Sequence, residues 1–503
     1  MGWQRAAAEA GAIAQGWTRQ NGPGGAIVLF DRSDIRAEAA GGFASLDNLA
    51  PFRADTAVRY ASISKHFCTA MVVQTGLLGL DDPLGQHLDL PEATGKVTVG
   101  RALDMTGGIP DAMETLWLLG VSPTASLDRH ALLRFVSSVQ GLNFEPGTQI
   151  SYSNTGYRLV QAALEAKGLD YAAALHERFF QPLGLGITLP EDETDRVTDL
   201  AHGYWAGPRG WQKGRYGLHY SASGGIAGSG RDLAVWAQAL LSGQAPADGL
   251  LARLGALRAL TDGRATGYGL GLARTVLGDR VLIGHGGSLP GFKNHFLLDP
   301  EGGAGVVVVT NREDADAHGL ALRVMAALHG RSLPEPAAGM LPEGLFVADD
   351  APAWIETQGG TVTFLGAQSA LLRGDDGWAE TDSAHMPIRL RPMPGGIEGE
   401  IGHRAYRFRP APGGVAGAWD GIWVLPRHNA RFEIATEGGV SRLSIGVGPA
   451  QVLLELEPIA PDLALTSNNG TGGPWKQRAC LQIAGDELRL ITNRSRVLRF
   501  SRG

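Results

Sequence analysis

Three short motifs carry the chemistry available to this chain. Ser62-Ile63-Ser64-Lys65 places a hydroxyl and an amine three residues apart, so both share one helix face. A lysine taken out of water has a lowered pKa and can accept the serine proton, which turns the serine into a nucleophile. At the head of a helix the Ser62 N–H also meets a developing oxyanion with partial positive charge. Ninety residues on, Tyr152-Ser153-Asn154 adds a phenol that can act as a general base beside an ammonium, and an amide that can hold a substrate carbonyl. His285-Gly286-Gly287 ends a short apolar run. Its glycines let a ligand backbone approach, and the strand can hydrogen-bond an extended substrate. Each motif alone also has a plain structural explanation: a capping serine with a solvated lysine, a loop tyrosine, a turn histidine.

In this order and spacing the motifs resemble the serine β-lactamase and DD-peptidase superfamily, in particular its class C-like branch with Tyr-x-Asn as second motif. Arg101-Ala-Leu-Asp-Met-Thr-Gly-Gly-Ile-Pro110, Ser223-Gly-Gly-Ile-Ala-Gly228 and Tyr268-Gly-Leu-Gly-Leu272 look like that family's segments too. The resemblance covers about residues 10–330. It implies an α/β (α+β) penicillin-recognising domain whose antiparallel sheet is flanked by helices. Ser62 would be acylated, Lys65 and Tyr152 would move its proton, and the N–H groups of Ser62 and Ser288 would hold the oxyanion. Asn154, His285, Gly287 and Ser288 would bind substrate. Many members carry a lysine where this chain has His285, which points toward peptidases or esterases.

The whole chain is similar to the D-stereospecific aminopeptidases, in which such a domain is followed by two small antiparallel β-barrels. That resemblance implies release of N-terminal D-residues, such as D-alanine, from short peptides, amides or esters without a metal or other cofactor. It also implies that a loop of the last barrel enters the active site. The candidate loop is 467–475, with Asn468 and Asn469 as substrate-binding residues; it holds no acidic side chain for a free amine. An esterase or a DD-peptidase/β-lactamase-like hydrolase is the alternative within this chemistry. A non-catalytic binding or sensing homologue is the alternative outside it, and the intact Ser62, Lys65 and Tyr152 argue against that.

The surrounding elements fit this organisation. Apolar stretches at 25–31 and 35–44 read as a hairpin, and residues 62–79 read as a buried helix. Strand signals at 281–285, 295–299 and 305–310 precede a helix at about 315–328, so one sheet is expected from both ends of the region. Residues 331–343 are rich in Pro and Ala and read as a linker. Helical signals nearly vanish beyond it. Two β-domains are expected, 344–410 and 417–503, with Arg404-Ala-Tyr-Arg-Phe408 and Arg496-Val-Leu-Arg-Phe500 as a repeated ending.

Bulk composition excludes several function classes. The 503 residues allow two to four domains, and the net charge of −7, without like-charge blocks, suggests no nucleic-acid partner. Only six residues are lysine, so Lys65 is a rare residue type in a meaningful place. Cys68 and Cys480 lie far apart, and Cys68 reads as a small buried hydrophobe. No metal-ligand spacing occurs. The first twenty residues read as a helix and not a signal peptide, and no run suits a membrane span, so a cytoplasmic protein is expected. The expected partner is a small-molecule or short-peptide substrate, with a homodimer as the assembly allowed for. Asn469-Gly-Thr471 and Asn493-Arg-Ser495 match a glycosylation pattern that has no meaning without secretion.

Overall fold

The apolar runs near both ends of the first 330 residues become one antiparallel sheet. In the computed structural model its strands lie in the order Ala273–Leu277, Arg280–Leu289, Phe292–Asp299, Ala304–Thr310, Gly25–Asp31 and Ile35–Gly41. The N-terminal strand pairs with the late one from Gly25↔Thr310 to Asp31↔Ala304, which closes the sheet from both ends as expected. Gly25–Asp31 is buried except at its last residue. That suits a central strand covered on both faces. Ile27, Leu29, Val306 and Val308 point toward the helices Trp3–Arg19 and Ala317–His329. Their neighbours Ala26, Val28, Phe30, Val307 and Val309 face the larger core, which contains the helix Gly230–Ser242. The structure describes residues 2–122, 124–190, 195–217, 221–415, 419–446, 448–467 and 477–503.

Past residue 343 the chain is almost entirely strand. Nine strands between Gly344 and Pro410 form one sheet whose two edge strands, Ala367–Ala370 and Leu372–Arg373, are neighbours in sequence; it curls into a nearly closed barrel. The next unit is a closed eight-stranded barrel that starts at Gly421–Leu425. Closure removes the unpaired strand edges that invite aggregation. The repeated sequence has a matching place in both units. Arg404–Pro410 pairs back onto its unit's first strand, and Leu498–Arg502 does the same in the barrel.

Both β-units dock on the first unit. Leu118, on the helix Ala112–Leu118, enters the barrel core beside Trp419 and Trp423. Ile150 N–H donates to Gly402 O at 3.0 Å, and Asp111 N–H donates to Arg494 O at 2.9 Å. Among the described residues no helix is long and apolar enough to cross a membrane.

Candidate active site

Ser62 is presented by a strained turn. The short strand Ala57–Arg59 leads into a 3-10 turn, Ala61–Ile63, and then into the helix Ser64–Thr75. Ala61 sits at φ +54°, a left-handed conformation that a side-chain-bearing residue adopts only when its surroundings enforce it. They do so here: Tyr60 N–H donates to Ile226 O at 2.9 Å and Tyr60 Oη–H to Ser229 O at 2.6 Å. Residues 63–72 are buried throughout, and Ser62 alone in the turn stays partly open to the cleft.

The same turn explains Gly287. A Cβ there would lie 1.9 Å from Tyr60 O, so the glycine is required by the strand packing against the turn that holds Ser62. Gly287→Ala is expected to destabilise the fold by about 1–3 kcal/mol or more and to lower turnover with it. A thermal melt alongside a rate measurement checks this; an unshifted melt would show that the turn yields easily.

Lys65 is fully buried, and its amine meets three oxygens: Ser62 Oγ at 3.1 Å, Asn154 Oδ1 at 2.7 Å and Ser223 O at 2.6 Å. Burial pushes its pKa well below the usual lysine range; Asp111 opposes the shift and Arg494 adds to it. A neutral amine suits these contacts. Two N–H groups remain for Asn154 Oδ1 and Ser223 O, and the lone pair faces the Ser62 hydroxyl. Asn154 is itself fixed, because its Nδ2 donates to Asp111 Oδ2 at 2.8 Å and its backbone N–H donates to the same oxygen. Both ends of the amide are engaged, and Asn154 also lines the cleft.

Tyr152 comes from the extended segment before the helix Asn154–Ala166 and hydrogen-bonds Ser62. Two basic groups lie over its ring, Lys65 Nζ at 4.7 Å and the Arg494 guanidinium at 4.6 Å from its centroid. Burial nevertheless drives the phenol pKa up, more than Ser62 and Arg494 lower it. That shift favours the neutral phenol over the tyrosinate.

His285 lies in the middle of the ten-residue strand Arg280–Leu289, not at a strand end. Of the Gly-Gly pair that suggested an end, Gly287 packs closely on the Tyr60 carbonyl and Gly286 on the His295 ring. Tyr268 Oη–H donates to His285 Nε2 at 2.9 Å, and His285 Nδ1–H donates to Gly286 O at 2.6 Å. Burial, aided by Lys65, pushes its pKa well down, so the ring is neutral. Both ring nitrogens are engaged within the protein, and His285 lines the cleft. The neighbouring strand pairs only as far as Gly284, which leaves residues 285–289 without a partner on that edge among the described residues. Ser288 lies on this open stretch, its Oγ accepting from Lys293 Nζ at 2.6 Å.

These residues line one cleft of about 820 Å³ that also takes side chains from both β-units. The nine-stranded unit contributes His385, whose ring meets Tyr152 edge-on at 5.0 Å and whose pKa burial pushes down to about 3. The barrel contributes Gln477 and Arg494. Sequence reasoning missed His385 and Arg494. The only signal near Arg494 was a glycosylation-like triplet, yet Asn493 and Ser495 are buried there. Asn468 and Asn469, with the rest of 468–476, lie outside the described residues. The described entries from the barrel are Gln477 and the turn at 492–497. Cys68 is buried, and its thiol pKa is raised to about 12, as fits an inert core residue.

A family model described as Beta-lactamase matches residues 10–329. The chain is 27% identical over 350 residues to a D-aminopeptidase of Cereibacter sphaeroides, covering 69% of this chain and 66% of that one. It is 29% identical over 278 residues to a D-aminopeptidase of Brucella anthropi, covering 54% and 53%. The match thus spans about half to two thirds of these relatives' length. Among solved structures, the octameric penicillin-binding protein homologue from Pyrococcus abyssi aligns with a TM-score of 0.59 at 21% identity, over 80% of this chain and 99% of that one. The D-amino acid amidase from Ochrobactrum anthropi SV3 aligns with a TM-score of 0.55 at 23% identity, over 65% and 99%. Both show the same fold. With its sheet, its Ser-x-x-Lys turn and a family match over more than half its length, this chain belongs to the Beta-lactamase family.

Proposed function

We propose that the chain is a serine hydrolase acylated at Ser62 that releases N-terminal D-amino acids, such as D-alanine, from short peptides, amides or esters. One observation carries the first part: the buried Lys65 amine faces Ser62 Oγ, with its other two positions fixed by Asn154 and Ser223. In the proposed reaction Lys65 takes the Ser62 proton as Oγ attacks the substrate carbonyl. The N–H groups of Ser62 and Ser288 hold the oxyanion. Tyr152 passes a proton to the leaving amine as the C–N bond breaks, and is reprotonated from Lys65. Water then hydrolyses the ester, and Ser62 regains its proton.

The relatives' names support the D-aminoacyl reading, and so does the cleft's charge. A free substrate ammonium needs an anion. Asp111 is occupied by Asn154 and the backbone of a helix start, Glu114 by Thr492, Gln477 and the Arg494 N–H, and Asp316 caps a helix. Asp382 is met only by His318, at 3.1 Å, among the described residues. We assign it the ammonium. Residues 1–330 are the proposed catalytic domain, and 344–410 and 417–503 are the two β-domains that narrow its cleft. The proposed compartment is the cytoplasm, supported by two buried free thiols, Cys68 and Cys480.

The test compares rates on D-alanine and L-alanine p-nitroanilides, nitrocefin and a short acyl ester. The D-anilide is expected to lead; equal D and L rates, or a lead for nitrocefin, would overturn the D-aminopeptidase reading. The pH profile adds a second check. Lys65 must be neutral to act, so kcat/KM is expected to fall as pH drops through its depressed pKa. Asp111 raises that pKa, so Asp111→Asn is expected to move the acid limb to lower pH. A limb that stays in place would mean that another group sets it.

A further inference from the structure

We infer that Arg494 forms a carboxylate-recognising subsite on the leaving-group side of the cleft, so that the preferred substrates are very short peptides with a free carboxylate just beyond the scissile bond. This rests on the proposed acyl transfer at Ser62, and it narrows the substrate class.

The turn that carries Arg494 is locked in place from several sides. Its carbonyl accepts from Asp111 N–H and from Asn143 Nδ2, each at 2.9 Å. Asn493 N–H donates to Leu365 O at 3.0 Å, and Ser495 Oγ meets Thr115 Oγ1 at 2.8 Å. So much bonding around one short turn fixes where its side chain points. The guanidinium stacks on the ring of Tyr152, and the side chain keeps 29% of its surface exposed while lining the cleft.

That guanidinium has donors to spare. Its Nε is buried without a hydrogen-bond partner, with Glu114 Oε1 standing off at 3.7 Å. Its Nη atoms meet no acceptor among the described residues. Glu114 directs its other oxygen to Thr492 Oγ1 and to the Arg494 backbone N–H, and so does not fork onto the guanidinium. The planar fork of donors matches a carboxylate with two parallel hydrogen bonds. Among the described residues, the two lysines at the site are committed. Lys65 is engaged with Ser62, and Lys293 pairs with Glu313 at 2.7 Å.

Position fixes what the fork reads. Tyr152 hands its proton to the leaving nitrogen, so a group stacked on Tyr152 lies beside the leaving group. In a dipeptide, that nitrogen is one carbon away from the carboxylate. Asp382, the residue proposed for the ammonium, lines the same cleft, so both charges of a short zwitterion have a counterpart there.

The test measures kcat/KM for D-alanyl-glycine against D-alanyl-glycinamide in wild type, Arg494→Met and Arg494→Lys. Wild type is expected to favour the free carboxylate by about tenfold or more, through a lower KM. Arg494→Met is expected to bring the ratio near one, with Arg494→Lys between. A merely structural arginine would lower both rates together and leave the ratio alone. A wild-type ratio of one or less, or a ratio unchanged in a folded Arg494→Met, would overturn the inference. If no D-alanyl substrate is turned over, the D-aminopeptidase reading fails separately, and the ratio is read from 3-carboxyphenyl acetate against phenyl acetate. Loss of that ratio in Arg494→Met supports the subsite, and its persistence overturns it.

Discussion

Ser62→Ala is expected to lose at least about three orders of magnitude in kcat while the fold is kept, because a nucleophile acts as one part of a unit. The two other serines nearest Lys65 are already engaged. Ser64 Oγ accepts from Ile226 N–H at 3.0 Å and is fully buried. Ser223 offers Lys65 its backbone carbonyl. The alanine removes only Oγ and leaves the left-handed turn at Ala61 intact, so circular dichroism and melting temperature should match wild type. Near wild-type turnover by this folded variant would remove the acyl-enzyme account.

Lys65→Ala and Tyr152→Phe are each expected to cripple acylation, with losses of about two to four orders of magnitude, and the double variant should be little worse than either. Both residues touch Ser62, and Lys65 Nζ lies over the Tyr152 ring. Groups that pass one proton between them cannot each lose it independently. Lys65→Ala also leaves Asn154 Oδ1 and Ser223 O without their buried donor, at a cost of about 1–3 kcal/mol, so rates must be measured well below its melting temperature. Losses that multiply in the double variant would show that the two residues do not share a proton path.

The sequence made some of this legible and hid the rest for physical reasons. Ser62 and Lys65 are readable because one helical turn joins them. The sheet was readable because Gly25–Asp31 and Ala304–Thr310 are apolar at nearly every position, the mark of strands covered on both faces. The contacts that hold Asn154 and His285 were not, because their partners come from other segments. Asp111 reaches Asn154 from an earlier loop, and Tyr268 occupies the His285 nitrogen. The strand through His285 was cut short on paper because glycine usually ends strands. Here Gly284 and Gly287 are demanded by carbonyls that would sit 1.8 and 1.9 Å from a Cβ. Attention to the barrel fell on the long Gly/Asn-rich stretch at 467–475. Most of that stretch lies outside the described residues; a further contact comes from the short turn before the closing strand Leu498–Arg502, and its importance lies in a docking that no local pattern announces.

The central claim, an acyl-enzyme at Ser62, is tested most directly by labelling the full chain with a fluorophosphonate and mapping the adduct by mass spectrometry. The expected result is one label per chain, located on Ser62, with hydrolysis lost in proportion to labelling. Hydrolysis that persists in fully labelled protein, or activity lost through a label on another residue, would contradict it.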